Sequence, residues 1–301
     1  MLYIKNNAIG FDFMATRVSA IIICLFCNLA LAYSYDCKIN GIYYNLYENE
    51  AEVTYSKKYI NSYKKNIVEV PAYIKYKGKT FHVTSIGNAA FCKCSQIISV
   101  KLPETIVRIG RFAFYDCDSL KELTIPNKVK EIGEKAFCSS GSLRKVVLPD
   151  SLMILRNGAF AFCEMLSEIN FPTNLKCIEK EAYYMTSIRK VVLPEGLLKI
   201  EESAFASCNR LEYILLPSSI NSIAKDIFWM TTNLKVVDSN IENPNCILPS
   251  YIQYPFTMDF SNCTLYVPIG TKKRYMEVDS WNSFGRIIEK EEALFENIYP
   301  S

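Results

Sequence analysis

The chain has 301 residues, half of them hydrophobic and 22% charged, with a formal net charge of +3. That composition is too apolar for disorder and ample for a continuous core. A charge so close to neutral gives no reason to expect a nucleic-acid partner, whose proteins concentrate basic residues on one face.

The N-terminus reads as a separate text. Val18 to Ala32 carries no charge, follows Arg17 and ends in Ala30-Leu31-Ala32. A basic flank, a short apolar run and an A-x-A end predict a signal peptide over residues 1–32, cut after Ala32. The run falls short of the roughly 20 residues a bilayer core needs, so no membrane span is expected after cleavage. Met14 offers a more usual start than Met1. No cysteine directly follows a small-residue cleavage site, which argues against a lipid anchor. The chain is therefore expected to be secreted or displayed at the cell surface, where disulfides are permitted.

Residues 33–81 predict an N-terminal β cap. Ile42–Tyr44, Ala51–Tyr55, Ile67–Val70 and Thr80–Val83 are short β-branched and aromatic runs separated by turn residues, which read as strands joined by hairpins.

Residues 82–239 repeat one pattern seven times. Prolines stand at 103, 126, 149, 172, 194 and 217. Phe91, Phe114, Phe137, Phe160, Tyr183, Phe205 and Phe228 form a second row on the same beat, and Ile86, Ile109, Ile132, Leu155, Ile178, Ile200 and Ile223 a third. A fixed period of this size means a solenoid whose turns bury each other's apolar faces. In Leu143-Arg-Lys-Val-Val-Leu-Pro149 the alternation predicts a strand with one face buried, ended by proline. Every turn runs the same way, so the strands pair in parallel. The second half of each repeat, as in Glu201–Ser207, predicts short helices or 3-10 turns on the opposite side. Alanine before the aromatic lets the backbone approach the sheet.

Two positions test that pattern. Gly87, Gly110 and Gly133 suggest a left-handed backbone, but Arg156, Glu179, Glu201 and Ala224 fill the same slot, so ordinary dihedrals are expected there. Cys94, Cys117, Cys163 and Cys208 interchange with Ser140, Thr186 and Thr231, which predicts a small, half-polar, buried ladder in preference to a bridge. The fifth turn is one residue short, and the loop before its strand is expected to absorb the deletion without disturbing the register of the sheet. Residues 240–301 predict an irregular last coil and a strand–helix C-terminal cap.

The pattern L-x-x-V-x-L-P-x-x-[IVL]-x-x-I-G-x-x-A-F-x-x-C resembles the 23-residue leucine-rich repeat of BspA-like bacterial surface proteins, and residues 40–44 and 76–87 resemble their lead-in. Thr264–Thr271, Tyr275 and Trp281–Phe284 are similar to their C-terminal cap. The resemblance implies an α/β, β-rich leucine-rich-repeat solenoid with a parallel sheet on one face. It also implies an exported protein that binds a host or cell-surface partner, and it carries no catalytic residues to transfer.

The residues give chemistry little support. His82 is the only histidine, so a Ser-His or Cys-His hydrolase would depend on it alone, and no nucleophile signature accompanies it. No P-loop, G-x-G-x-x-G or metal-ligating cluster is present, so no catalytic residue, metal or cofactor is assigned. The outward strand rows are more informative. Val147, Val192, Tyr213 and Leu215 are apolar at positions that face away from the core, which marks an interaction patch; β-branched strand preference explains the valines equally. With Lys145, Asn170 and Lys190 these residues form the candidate ligand-binding set. Lys121, Arg144, Arg189 and Lys235 run alongside as a basic edge, interrupted by Ser167 and Glu212. The expectation is a non-catalytic adhesion protein with a protein or glycan ligand; a structural component of the cell envelope is the alternative.

Overall fold

The computed structural model describes residues 35–56, 61–224, 226–248, 260–278 and 281–290. The expected signal peptide over residues 1–32 and its cleavage site lie outside them. Among the described residues no helix is long and apolar enough to cross a membrane.

Each repeat makes one coil, and successive coils align two rows of parallel strands, paired except between Lys101 and Glu122 and between Ile169 and Lys190 in the long row and between Ile132 and Ile154 in the short one. The long-strand ladder contains Ser99–Lys101, Glu122–Thr124, Lys145–Val147, Glu168–Ile169, Lys190–Val192, Tyr213–Leu216 and Val236–Ser239. The short-strand ladder runs through Arg108–Ile109, Glu131–Ile132, Ile154–Leu155, Cys177–Ile178, Lys199–Ile200, Ser222–Ala224 and Ile247–Leu248. Register is kept residue for residue: Lys145 sits opposite Glu122 and Lys190 opposite Tyr213. One strand face is therefore in the core and the other open, as alternation requires.

The third side of the coil departs from the expected helices. It is a run of β-turns, in which Ala90 N–H donates to the Gly87 carbonyl at 3.2 Å and Cys92 N–H to the Ala89 carbonyl at 3.1 Å. Between these turns, alternate amides reach the next coil: Phe91 N–H donates to the Ala113 carbonyl at 2.7 Å and Lys93 N–H to the Tyr115 carbonyl at 2.7 Å. Helix would consume those amides within the coil. The geometry requires left-handed residues at two places per turn, and they are filled by whatever the sequence supplies, including Phe112 (φ 55°), Asp116 (φ 57°), Phe162 (φ 60°) and Met185 (φ 57°). Turn-to-turn bonding outweighs the roughly 1–2 kcal/mol that a left-handed non-glycine residue costs. Gly110 and Gly133 are not left-handed. A Cβ on Gly133 would lie 2.5 Å from the Arg111 nitrogen, so glycine is demanded there by the close approach of two coils.

The core is one continuous column. Rings of Phe91, Phe114, Phe137, Phe160, Tyr183 and Phe205 are buried and stack at centroid distances of 5.0, 5.2, 5.1, 5.9 and 5.3 Å. Beside them the cysteine row is a hydrogen-bond ladder. The Cys117 and Cys163 thiols donate to the carbonyls of Phe91 and Phe137 at 3.1 Å, and Ser140 does the same to Phe114 at 2.8 Å. Any small donor serves, which explains the interchange of Cys, Ser and Thr.

The two ends differ. Residues 37–39, 42–46 and 50–54 form an antiparallel meander, but Glu50–Thr54 then pairs in parallel with Lys79–Ile86, and Ile67–Glu69 in parallel with Ser99–Lys101. The segment is not built from hairpins alone. Tyr63 covers the first spine ring, 4.7 Å from Phe91. At the other end Phe260–Val267 and Phe284–Glu289 extend the long-strand ladder in parallel, with the short helix Lys272–Met276 between them.

Across the short fifth turn the sheet register is kept, with Cys177 opposite Lys199 and Ile178 opposite Ile200. Long-strand pairing is interrupted between Ser99–Lys101 and Glu122–Thr124, where the turn has its usual length, and again between Glu168–Ile169 and Lys190–Val192. The Asn170 side chain stands in for a strand partner there, accepting the Leu148 N–H at 2.7 Å and donating to the Leu148 carbonyl at 2.8 Å. Phe171 replaces the usual aliphatic residue and tilts onto Tyr183 at 5.5 Å.

Candidate binding face

The open face of the long-strand ladder holds two outward rows. Where its strands pair, the backbone amides are occupied by turn-to-turn bonds, and there the face offers a partner its side chains. Toward the N-terminal end these side chains are polar and paired among themselves: Lys101 with Glu69 at 2.6 Å and Lys145 with Glu168 at 3.1 Å. A shallow groove of about 450 Å³ lies here, and Lys101, Glu122, Lys145 and Val147 are among its lining residues.

Toward the C-terminal end the face turns apolar. Val147 is 40% exposed and Val192 49%, while Leu215 is half-buried in the strand paired with that of Val192. The register carries the same row on to Tyr266 and Ile288, both half-buried. These two belong with the candidate set. The signal for Tyr266 was present, because Thr264-Leu-Tyr-Val-Pro268 has the same strand-and-proline form as the repeats.

Other residues expected on the face are engaged elsewhere. Tyr213 is outward by register yet only 9% exposed. Its hydroxyl donates to Asp238 Oδ2 at 3.0 Å, and the Lys190 ammonium lies over its ring at 5.6 Å. Asp238, buried on the same face, is held by an ion pair with Lys290, which also reaches Asn240 Oδ1 at 2.5 Å. A carboxylate at 7% exposure is tolerable because it is both paired and hydrogen-bonded. Asn170 is committed to Leu148, and Lys145 to Glu168. Of the candidate set, Val147, Val192 and Leu215 remain outward without a structural task.

Neither of the groups most suited to chemistry is placed for it. His82 is exposed on the strand Lys79–Ile86. The described thiols are buried except for the half-buried Cys177, and burial pushes those of Cys117 and Cys163 well above their ordinary 9.0 and those of Cys138, Cys177 and Cys208 to about 11. A thiol held protonated is a poor nucleophile. Among the described residues no group of three or more His, Cys, Asp or Glu is arranged to hold a metal ion.

The family described as BspA type leucine rich repeat region matches in six copies, over residues 79–164, 130–251 and 176–273. No curated protein matches the chain. Among solved structures, a leucine-rich repeat protein from Bacteroides ovatus is similar at 24% identity, with 85% of this chain and 79% of that one covered and a TM-score of 0.39. A leucine rich cell surface protein from Faecalibacterium prausnitzii is similar at 18% identity over 88% and 97% of the two chains, TM-score 0.45. The leucine rich repeat protein of T. pallidum is similar at 25% identity over 67% and 80%, TM-score 0.45.

Proposed function

Because the chain belongs to the BspA-type leucine-rich repeat family, we propose that it is an exported, non-catalytic binding scaffold. It presents the open face of its long-strand ladder to a protein or glycan at a host or cell surface. The supporting observation is the row Val147, Val192 and Leu215. These side chains project from strands whose other face already supplies the core, so they contribute little to folding where they stand, and apolar surface of this kind gains free energy when covered.

Export is inferred from residues 17–32 alone. N-terminal sequencing of the protein recovered outside the cell is expected to begin at Tyr33, and a chain that keeps residues 1–32 would contradict it.

The binding face is tested by capture. Purified protein and a Val192→Glu, Leu215→Glu double variant are passed over immobilised surface extracts and matrix proteins. The native chain is expected to retain a saturable partner and the variant to lose at least about tenfold in affinity, equivalent to ~1.4 kcal/mol. Equal retention by both would remove the face from consideration. Incorporation into an insoluble envelope fraction with no saturable partner would favour a structural role instead.

A further inference from the structure

Across the open face, charge is sorted by edge. Just before the long strands stand Lys121, Arg144 and Arg189, with Ser167 between the two arginines. Just after the strand-ending prolines stand Glu104, Asp150 and Glu195. The two edges are used differently. The Asp150 carboxylate accepts the N–H and hydroxyl of Thr173 at 3.0 and 3.1 Å, and that of Glu195 accepts those of Ser218 at 3.2 and 3.1 Å. Those acids hold the next turn in place.

On the basic edge Lys235 is neutralised by Glu212 at 2.9 Å. Lys121, Arg144 and Arg189 are exposed and make no ion pair or side-chain hydrogen bond among the described residues, although Arg189 stands near enough to Glu212 to help Lys235 hold that carboxyl below its usual range. Glu168, opposite Lys145 in register, is already paired with it at 3.1 Å. The uncommitted charge along this edge is therefore positive. Arg144 and Arg189 stand two coils apart, roughly 10 Å at the usual strand spacing, and the small exposed Ser167 leaves the space between them open. A guanidinium is a planar fork that takes carboxylate or sulfate in bidentate fashion. Two such forks flanking a serine hydroxyl are suited to one anionic group held between them.

We propose that this edge binds an anionic polysaccharide bearing carboxylate or sulfate groups, laid along the solenoid axis from Lys121 to Arg189. The proposal rests on the binding-scaffold reading and names the partner's chemistry. A peptide is less well served here, because the backbone is already consumed: Arg144 N–H donates to Lys121 at 2.7 Å and Ser167 N–H to Arg144 at 3.1 Å. Strand addition is thus closed to it, whereas the half-buried serines Ser119 and Ser142, two residues before Lys121 and Arg144, offer hydroxyls to a sugar.

Purified protein is titrated with heparin, hyaluronan, neutral dextran and poly-glutamate. Heparin or hyaluronan is expected to bind, dextran not, and binding is expected to weaken as salt rises past ~0.15 M, where the Debye length is about 8 Å. Arg144→Ala and Arg189→Ala are each expected to lower affinity about tenfold, the loss typical of one charge-assisted hydrogen bond. Arg144→Lys, which keeps the charge but not the fork, is expected to fall between. Unchanged circular dichroism establishes that the variants fold. The proposal is overturned if neither anionic glycan binds, if dextran matches them, if poly-glutamate binds tighter than both, or if both alanine variants bind undiminished. Glycan failure with a surface partner still captured through Val192 and Leu215 would overturn this proposal alone. Loss of both would overturn the scaffold reading with it.

Discussion

At Cys163 the thiol donates to the Phe137 carbonyl, which already accepts the Ser140 N–H at 3.2 Å. The side chain thus supplies a second bond to one buried acceptor. Cys163→Ser or Cys163→Thr keeps that donor, and Cys163→Val removes it at about 1 kcal/mol; urea unfolding of the three variants is expected to rank valine last. The same burial sets the alkaline limit of the fold. In the folded chain the thiols of Cys138 and Cys208 titrate near 11, against 9.0 in the open. Their folded value is raised, so their contribution is fully present below pH 9.0 and is lost as pH rises toward about 11. Stability measured from pH 8 upward is expected to decline through that window. Thiol alkylation at pH 8 is expected to be slow until denaturant opens the chain. The ladder was legible from the interchange of Cys, Ser and Thr, whereas its acceptor was not, because a carbonyl leaves no mark on side-chain identity.

Among the elements, the aromatic column and the seam at the short turn carry different consequences. Phe137 stacks between Phe114 and Phe160 at 5.2 and 5.1 Å, with interplanar angles of 3° and 7°. Phe137→Ala opens a cavity in a site that cannot collapse without drawing two coils together, at about 3–5 kcal/mol. Limited proteolysis is expected to cut that variant near turns two to four, and an unchanged melting temperature would contradict the spine. The seam behaves oppositely. Ile125 N–H donates to Val147 at 2.9 Å and Leu193 N–H to Leu215 at 3.3 Å, but the matching bond from Phe171 to Val192 is not made. The Phe171 amide is expected to exchange with deuterium at least ~10-fold faster than those of Ile125 and Leu193. The spine and strands could be read from period and alternation, which report burial. The turn side could not. Short runs such as Glu201–Ser207 have helical composition, and only the demand of each neighbouring coil for amides turns them into left-handed turns.

For the molecule as a whole, the repeat specifies the scaffold and says little about the ligand. Core positions recur, so their pattern exposes the fold; outward positions vary, and their meaning depends on neighbours several turns away. Tyr213 illustrates this, since alternation places it outward while Asp238, 25 residues on, engages its hydroxyl. Tyr266 and Ile288 illustrate the converse, joining the apolar row through strands outside the regular repeat. What remains after such side chains are assigned is an apolar row at Val147, Val192 and Leu215 beside a basic edge on which Lys121 and Arg144 carry no ion pair among the described residues. Binding of surface extracts by the native chain and by Val192→Glu, Leu215→Glu, followed side by side at equal circular dichroism, tests that surface most directly. Saturable binding by the native chain and loss of at least about tenfold in the variant are expected; binding that survives the two glutamates undiminished would contradict a ligand on this face.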